Sequence, residues 1–174
     1  PEGLYDFGQI GIGHCLSGPT DLKFTPSNHL VVANANPFQN FSSGSLLSMD
    51  WEEVITVLEN NERVLMHALD NTAAMDIPSF SSDFAMVDEG LAMVAVKESE
   101  GARTRVNDDD LWLIEIDSAG QMALGSRGDN NGPTVQVGSD PSAMAISNSE
   151  GYAFVGNRTD HTISIVDITS ENIS

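Results

Sequence analysis

Basic residues are scarce in this sequence. Seven lysines and arginines, of which only Lys23 and Lys97 are lysines, face 26 aspartates and glutamates, for a net charge of −19. Such a surplus repels phosphate backbones and anionic lipid, which argues against nucleic acid and membrane surfaces as partners. Two readings of the acidity stay open. One is a solubility adaptation to a saline or extracellular setting, where salt screens the self-repulsion; the other is capture of divalent cations by clustered carboxylates. Cysteine is nearly absent as well. The single Cys15 excludes an intrachain disulfide framework, and His14 is not the small residue that directly precedes a lipid-attachment cysteine, so Cys15 reads as a small buried hydrophobe. No apolar run approaches the ~20 residues that span a bilayer, and the longest, Leu91–Val96, is strand-sized. The start, Pro-Glu-Gly-Leu-Tyr-Asp, has neither the basic residues nor the apolar segment of a secretory leader, as would equally hold for a trimmed chain.

Motifs for covalent and redox catalysis are missing too. There is no Gly-x-Ser-x-Gly elbow, and Gly44-Ser45-Leu46 lacks the second glycine. His14, His29, His67 and His161 share no metal-ligand spacing, and His29 and His161 fall in turns where a solvated histidine is expected. Gly8-Gln9-Ile10-Gly11-Ile12-Gly13 does not fit a dinucleotide fingerprint and precedes no helical pattern. Absence of Cys-x-x-Cys-His excludes covalent haem. No cofactor is implied apart from a candidate calcium ion. Aromatic side chains, 6% of the chain, are too few for a sugar-stacking platform. Trp112 reads as packed on one sheet face, whereas Trp51 fits either a wedge between sheets or an exposed anchor.

What is present is a repeat of about sixty residues. At the C-terminus, Asp140–Ser147 gives a proline-led strand, Tyr152–Asn157 a second and Thr162–Asp167 a third, joined by tight polar turns into an antiparallel meander. The N-terminal third follows the same plan with Gly18–Phe24, His29–Asn34 and Ser45–Asp50. A more degraded middle copy runs from Pro78 through Asp83–Val87 and Leu91–Lys97 to Leu111–Asp117. Val32, Val94 and Val155 are 62 and 61 residues apart, Pro19, Pro78 and Pro141 are 59 and 63 apart, and Asp50, Asp117 and Asp167 are 67 and 50 apart. Fourth, outer strands are expected at Val54–Leu58 and Gln121–Leu124. The first of these could also be helical, but its β-branched residues favour strand.

The proline-led strand at Pro141, the strand Tyr152-Ala153-Phe154-Val155-Gly156-Asn157 and the strand Ile163-Ser164-Ile165-Val166-Asp167 resemble a repeat of the YVTN family of β-propellers. The likeness is good over residues 138–168, fair over 18–50 and weak over 78–117. It implies an all-β fold: a β-propeller-like array of about three four-stranded antiparallel blades, at residues 18–70, 78–125 and 138–174. Residues 1–13 would supply an outer strand to a preceding or partner blade. Propellers need four to eight blades to close, so the expectation is part of a larger ring, completed by remaining blades of the same protein or by a homodimer pairing head-to-tail.

Two oxygen-rich segments are the candidate sites. Asn107-Asp108-Asp109-Asp110 and Asp129-Asn130-Asn131-Gly132 offer the carboxylates and amides that calcium takes as ligands, although neither has EF-hand spacing. The candidate metal ligands are Asn107, Asp108, Asp109, Asp110, Asp129 and Asn131, each weighed against a solvated acidic turn. Arg127-Gly128-Asp129 matches the integrin-ligand tripeptide, a triplet common by chance. Asn40, Asn157 and Asn172 open glycosylation sequons, with Asn157 read instead as a turn cap. The functional expectation is a non-catalytic binding or scaffold module of an extracytoplasmic propeller (extracellular, periplasmic or cell-surface), meeting a protein or other ligand through loops 36–44, 98–110 and 126–133. The alternative is a propeller enzyme, a lactonase-like hydrolase or oxidoreductase, whose central-channel site is completed by further blades.

Overall fold

The computed structural model describes residues 19–34, 44–60, 72–77, 81–96 and 110–174. Cys15, His14, His67, Pro78, the expected first strand at 5–12 and Asn107, Asp108 and Asp109 lie outside them. The described chain forms three antiparallel sheets. The first holds β1 (Pro19–Phe24), β2 (His29–Asn34), β3 (Gly44–Asp50) and β4 (Thr72–Ile77) in sequence order. The second holds β5 (Ser81–Met86), β6 (Leu91–Val96), β7 (Asp110–Ile116) and β8 (Met122–Leu124), with β9 (Thr134–Gln136) also paired to β7. The third holds β10 (Pro141–Ser147), β11 (Tyr152–Asn157) and β12 (Thr162–Asp167). Between β3 and β4 lies one helix, α1 (Trp51–Glu59).

Strand pairing fixes which residues of the three sheets correspond. Val32 pairs with Leu22, Val94 with Phe84 and Val155 with Met144, so the valine spacing marks a true structural period. Each first strand carries a bulge at the same point, at Thr20, Ser82 and Ser142. The proline period needs correction. Pro19 pairs with Asn34 and Pro141 with Asn157, but the matching position opposite Val96 is Ser81, not Pro78. In the third strands Asp50 and Asp167 correspond to Glu115, because these three pair with His29, Tyr152 and Leu91. Asp117, two residues further on, nonetheless does the capping work of Asp50 and Asp167. Each accepts a hydrogen bond from the main-chain N–H two residues later, on Glu52, Ala119 or Thr169.

The strand expected at Val54–Leu58 is helix. Asp50 caps it, accepting from Glu52 N at 2.8 Å and Glu53 N at 3.3 Å, and both glutamates sit where the positive end of the helix dipole favours them. Four consecutive β-branched residues, Val54 to Val57, oppose helix by propensity. Packing overrides them: Val54 is buried and, with Trp51, Val57 and Leu58, it covers Val32, Leu47 and Met49 of the first sheet. The fourth strand of that sheet is β4 instead. The expected strand at Gln121–Leu124 is present as β8.

Each sheet has a leading face turned toward the next sheet in sequence and a trailing face turned toward the previous one. Val31, Ala33 and Leu46 lead from the first sheet onto trailing Phe84, Val94 and Ile114 of the second. Met93, Leu111 and Leu113 lead from the second onto trailing Ala153, Val155 and Val166 of the third. At the base of this second junction the chain from Ile168 to Ser174 folds back, burying Ile173 completely and donating Ile173 N to Arg127 O. A turn of the second sheet also seats against the first. Gly120 has φ +74°, and a side chain there would collide with buried His29 at 2.4 Å. His29 is therefore not the solvated histidine expected, and its ring meets Ser27 Oγ at 3.3 Å. His161 is exposed.

Leu111 and Ile163 hold the same position in consecutive sheets, but the first is fully buried and the second is 69% exposed. In urea titrations Leu111→Ala is expected to lose about 2–5 kcal/mol of stability, and Ile163→Ala less than about 1 kcal/mol. Equal losses would show the register argument to be wrong.

Candidate functional site

The first strands β1, β5 and β10 lie beside one another, nearest the line about which the sheets are arranged. Side chains at their bulges join each sheet to the next. Thr20 Oγ1 meets Ser81 Oγ at 3.3 Å, and Ser82 Oγ donates to Pro141 O. One residue on, the link becomes ionic. Asp21 Oδ2 accepts from Phe84 N at 3.2 Å, and the corresponding Asp83 Oδ2 accepts from Met144 N at 2.5 Å. The same position in the third sheet is Ala143, so the series of carboxylates stops there.

Asp21 and Asp83 also hydrogen-bond each other. Their electrostatics diverge for identifiable reasons. Burial is the largest influence on Asp83 and, helped by the neighbouring Asp21, raises its carboxyl above the ordinary carboxylate range. Burial is the largest single influence on Asp21 too and pushes it upward. Hydrogen bonds from Lys23, Asp83 and Leu22 N, with the Lys23 charge at 2.8 Å, outweigh burial and hold Asp21 below that range. The pair is thus biased in opposite senses, Asp21 toward its charged form and Asp83 toward its neutral one. Two carboxyls with separated affinities are the raw material of acid–base catalysis. Here, however, the oxygens are occupied. Asp21 Oδ1 accepts from Leu22 N and Lys23 Nζ, and Asp83 Oδ1 accepts from Phe84 N. The arrangement clamps main chain to main chain across the first strands.

The expected metal-ligand residues fall into two groups. Asn107, Asp108 and Asp109 lie outside the described residues. Asp110 opens β7 directly opposite Gln136 of β9, and Asp129 Oδ2 accepts from Gln136 N at 2.9 Å. Strand pairing thus brings Asp110 and Asp129 to the same residue of β9. Asn131 sits in the same loop with φ 59°, in the left-handed region that asparagine tolerates. Among the described residues no three histidine, cysteine, aspartate or glutamate side chains gather closely enough to hold a metal. The three expected ligand loops do not share one end of the array. Gly44 and Asp110 begin corresponding third strands, whereas the 126–133 loop leaves β8 and returns as β9 along the outer rim of the second sheet.

Arg127 is used within the fold. Its guanidinium donates to Ser170 O at 3.0 Å and Glu171 O at 3.4 Å and faces Asp88 at 3.7 Å, which removes the integrin-type reading of Arg127-Gly128-Asp129. Asn157 is buried, its amide donating to Thr162 Oγ1 and Ser164 Oγ across the following turn, as a structural asparagine should. Trp51 meets Phe24 edge-to-face with ring centroids 5.1 Å apart, neither a wedge between sheets nor an exposed anchor.

No family model and no curated protein matches the chain. Solved structures do. A Bacteroides fragilis protein described as a 6-phosphogluconolactonase superposes with a TM-score of 0.56 at 16% identity, over 87% of this chain and 35% of that one. Hydrazine synthase of Kuenenia stuttgartiensis superposes with a TM-score of 0.53 at 18% identity, over 87% of this chain and 40% of that one. Both are propeller-type folds. The chain is a β-propeller-like array. At such identity the likeness shows the fold alone, and this array spans well under half the length of either propeller. Each sheet is a blade, β1, β5 and β10 are the inner strands, and the Asp21–Asp83 series runs from blade to blade around the axis.

The signal for this series was in the sequence: an aspartate recurs at one repeat position of the first two inner strands, at 21 and 83. Its effect on stability is testable through the sign of each shift. Asp21, held low, stabilises the fold above the ordinary carboxylate pKa, and that contribution is lost as pH falls through its depressed value. Asp83, held high, favours the fold most at low pH, and that contribution is lost as pH rises through its elevated value. Asn at position 83 mimics the protonated acid. Asp83→Asn is expected to match the unaltered protein at pH 4 and to exceed its stability at pH 7, removing the Asp83 contribution to the loss as pH rises between them. Asp83→Ala orphans Met144 N and should cost about 1–3 kcal/mol. Chemical denaturation at several pH values checks both.

Proposed function

We propose that this chain is a non-catalytic binding or scaffold portion of an extracytoplasmic propeller, meeting its ligand through blade connections rather than along the axis. The observation that carries the reading is the saturation of the axial carboxyls: every Asp21 and Asp83 oxygen already accepts a hydrogen bond from the protein itself. The rim loop at 126–133 offers a contrasting surface, fixed by Arg127 and by Asp129 on Gln136 N, so a ligand would meet a preorganised edge. The competing enzymatic reading draws on the 6-phosphogluconolactonase likeness. Incubated with 6-phosphogluconolactone, the chain is expected to hydrolyse it no faster than buffer. Hydrolysis that falls on both Asp21→Asn and Asp83→Asn, with the fold intact, would overturn the binding reading.

A second reading places calcium on Asp129, Asn131 and Asp110 together with Asn107, Asp108 and Asp109. What favours it is the β7–β9 register, which sets Asp110 opposite Gln136, the residue whose main-chain N–H Asp129 holds. Calcium at 100 times its dissociation constant would stabilise the fold by about 2.7 kcal/mol, a rise of roughly 5–11 °C in melting temperature. The expected outcome on this reading is a rise after chelation and calcium addition, abolished by Asp129→Asn. An unchanged melting curve removes calcium and leaves the first reading standing.

A further inference from the structure

The rim loop between β8 and β9 holds the chain's only asparagine followed by glycine, Asn131-Gly132. Such a pair is chemically labile in any polypeptide. The main-chain nitrogen of the second residue can attack the side-chain amide carbon of the first, and glycine, having no side chain, leaves that nitrogen the most accessible. The backbone explains why asparagine stands here. Asn130 and Asn131 have φ 55° and 59°, in the left-handed region that few side chains other than asparagine and aspartate tolerate.

Three main-chain hydrogen bonds close the turn over residues 128–132. Gly132 N donates to Asp129 O at 2.9 Å, Gly128 N to Gly132 O at 2.8 Å and Asn131 N to Gly128 O at 3.1 Å. Gly128 is pressed on β9, where a side chain at that position would run into Thr134 O. Asn131 itself is exposed, so water reaches its amide. What the closed turn withholds is the nucleophile. Gly132 N must lose its proton and swing toward Asn131 Cγ, and its hydrogen bond to Asp129 O opposes both movements.

We propose that Asn131 is a deamidation site held in check by the closed 128–132 turn, and that its conversion to isoaspartate frees β9 from β7. In the reaction Gly132 N gives up its proton and bonds to Asn131 Cγ; the Cγ–Nδ2 bond breaks, and the amide nitrogen takes up a proton and leaves as ammonia. The five-membered imide then adds one water. Cleavage of its new N–Cγ bond gives aspartate, and cleavage of the original peptide C–N bond gives isoaspartate, with nothing oxidised or reduced. Either product places a new carboxylate in a loop that already carries Asp129. Aspartate keeps the main chain as it was and tolerates the left-handed φ. Isoaspartate inserts a methylene carbon into the main chain, and the turn has no slack to absorb it. Gly128 is pinned on Thr134, and just beyond the altered pair Pro133 O holds Leu113 N of β7 at 2.7 Å. That bond and the three residues of β9 are what tie the rim to the second blade here.

Incubation of the unaltered chain at mildly alkaline pH, folded and in urea, tests the site and its restraint. Conversion is read by mass spectrometry on the tryptic peptide from Gly128 to Arg158, and isoaspartate by enzymatic methylation. In urea, conversion is expected to begin at Asn131. In the folded chain it should be slower by roughly tenfold or more, since only molecules with the turn open can react. Equal rates in the two states would overturn the restraint, and faster conversion at Asn148 or another asparagine in urea would overturn the site. Release of the strand is read separately. Folded chain is aged until isoaspartate accumulates, and the converted fraction is separated by its charge. Its Leu113 amide is expected to exchange several-fold faster than in the unconverted fraction. Asn131→Asp, with the charge but no added carbon, should leave that amide protected. Unchanged exchange at Leu113 after conversion, or the same acceleration in Asn131→Asp, would overturn the release of β9.

Discussion

A blade of this chain has two apolar faces and therefore two surfaces that water must not reach. All six residues of β6 are buried, and so are six of seven in β3, which no single sheet in solvent could manage. The organisation of the molecule is a set of answers to that constraint. Blades cover one another in the middle. At one end an amphipathic helix covers Val32, Leu47 and Met49 of the first blade, held there by Asp50 at its N-terminus and by Trp51, Val54, Val57 and Leu58 along its side, while Leu22 and Phe24 of the inner strand stay exposed. At the other end the described residues leave the third blade without a cover.

Burial alone leaves the relative position of blades loosely defined, since apolar contact has little direction. Direction comes from the inner strands. A hydroxyl and a carboxylate, at consecutive positions, reach from one blade to the next: Thr20 to the Ser81 hydroxyl and Asp21 to Phe84 N, then Ser82 to Pro141 O and Asp83 to Met144 N. The bulge that all three inner strands share is what frees these two residues from strict alternation and lets both serve the junction. Lys23 lowers the electrostatic cost by neutralising one charge of the pair.

Much of this was readable in the sequence, though unevenly. The valine period and the strands at His29–Asn34, Leu91–Val96 and Tyr152–Asn157 were plain, because fully buried strands leave short apolar runs between turn residues. Less visible were features set by packing. Val54–Val57 is β-branched and reads as strand, yet Asp50 and Glu53 form the start signal of a helix, and a tertiary face awaited it. The Pro78 and Asp117 correspondences failed because loop lengths vary between blades, so spacing without register misplaces a repeat by two or three residues. Asp21 and Asp83 escaped notice as a pair, since their partners lie 63 and 61 residues away in main-chain N–H groups that no side-chain pattern reveals. The acidic loops stood out in sequence, but only strand pairing shows that Asp110 and Asp129 converge on Gln136.

The returning segment from Ile168 to Ser174 makes the two junctions unequal. Ile173 fills the base of the second, and Arg127 ties that segment's carbonyls to the rim, whereas no described segment crosses the base of the first in the same way. Local opening of the fold is therefore graded along the array. By these contacts the last two blades are expected to open together, with exchange of buried amides beginning in the first blade and its helix.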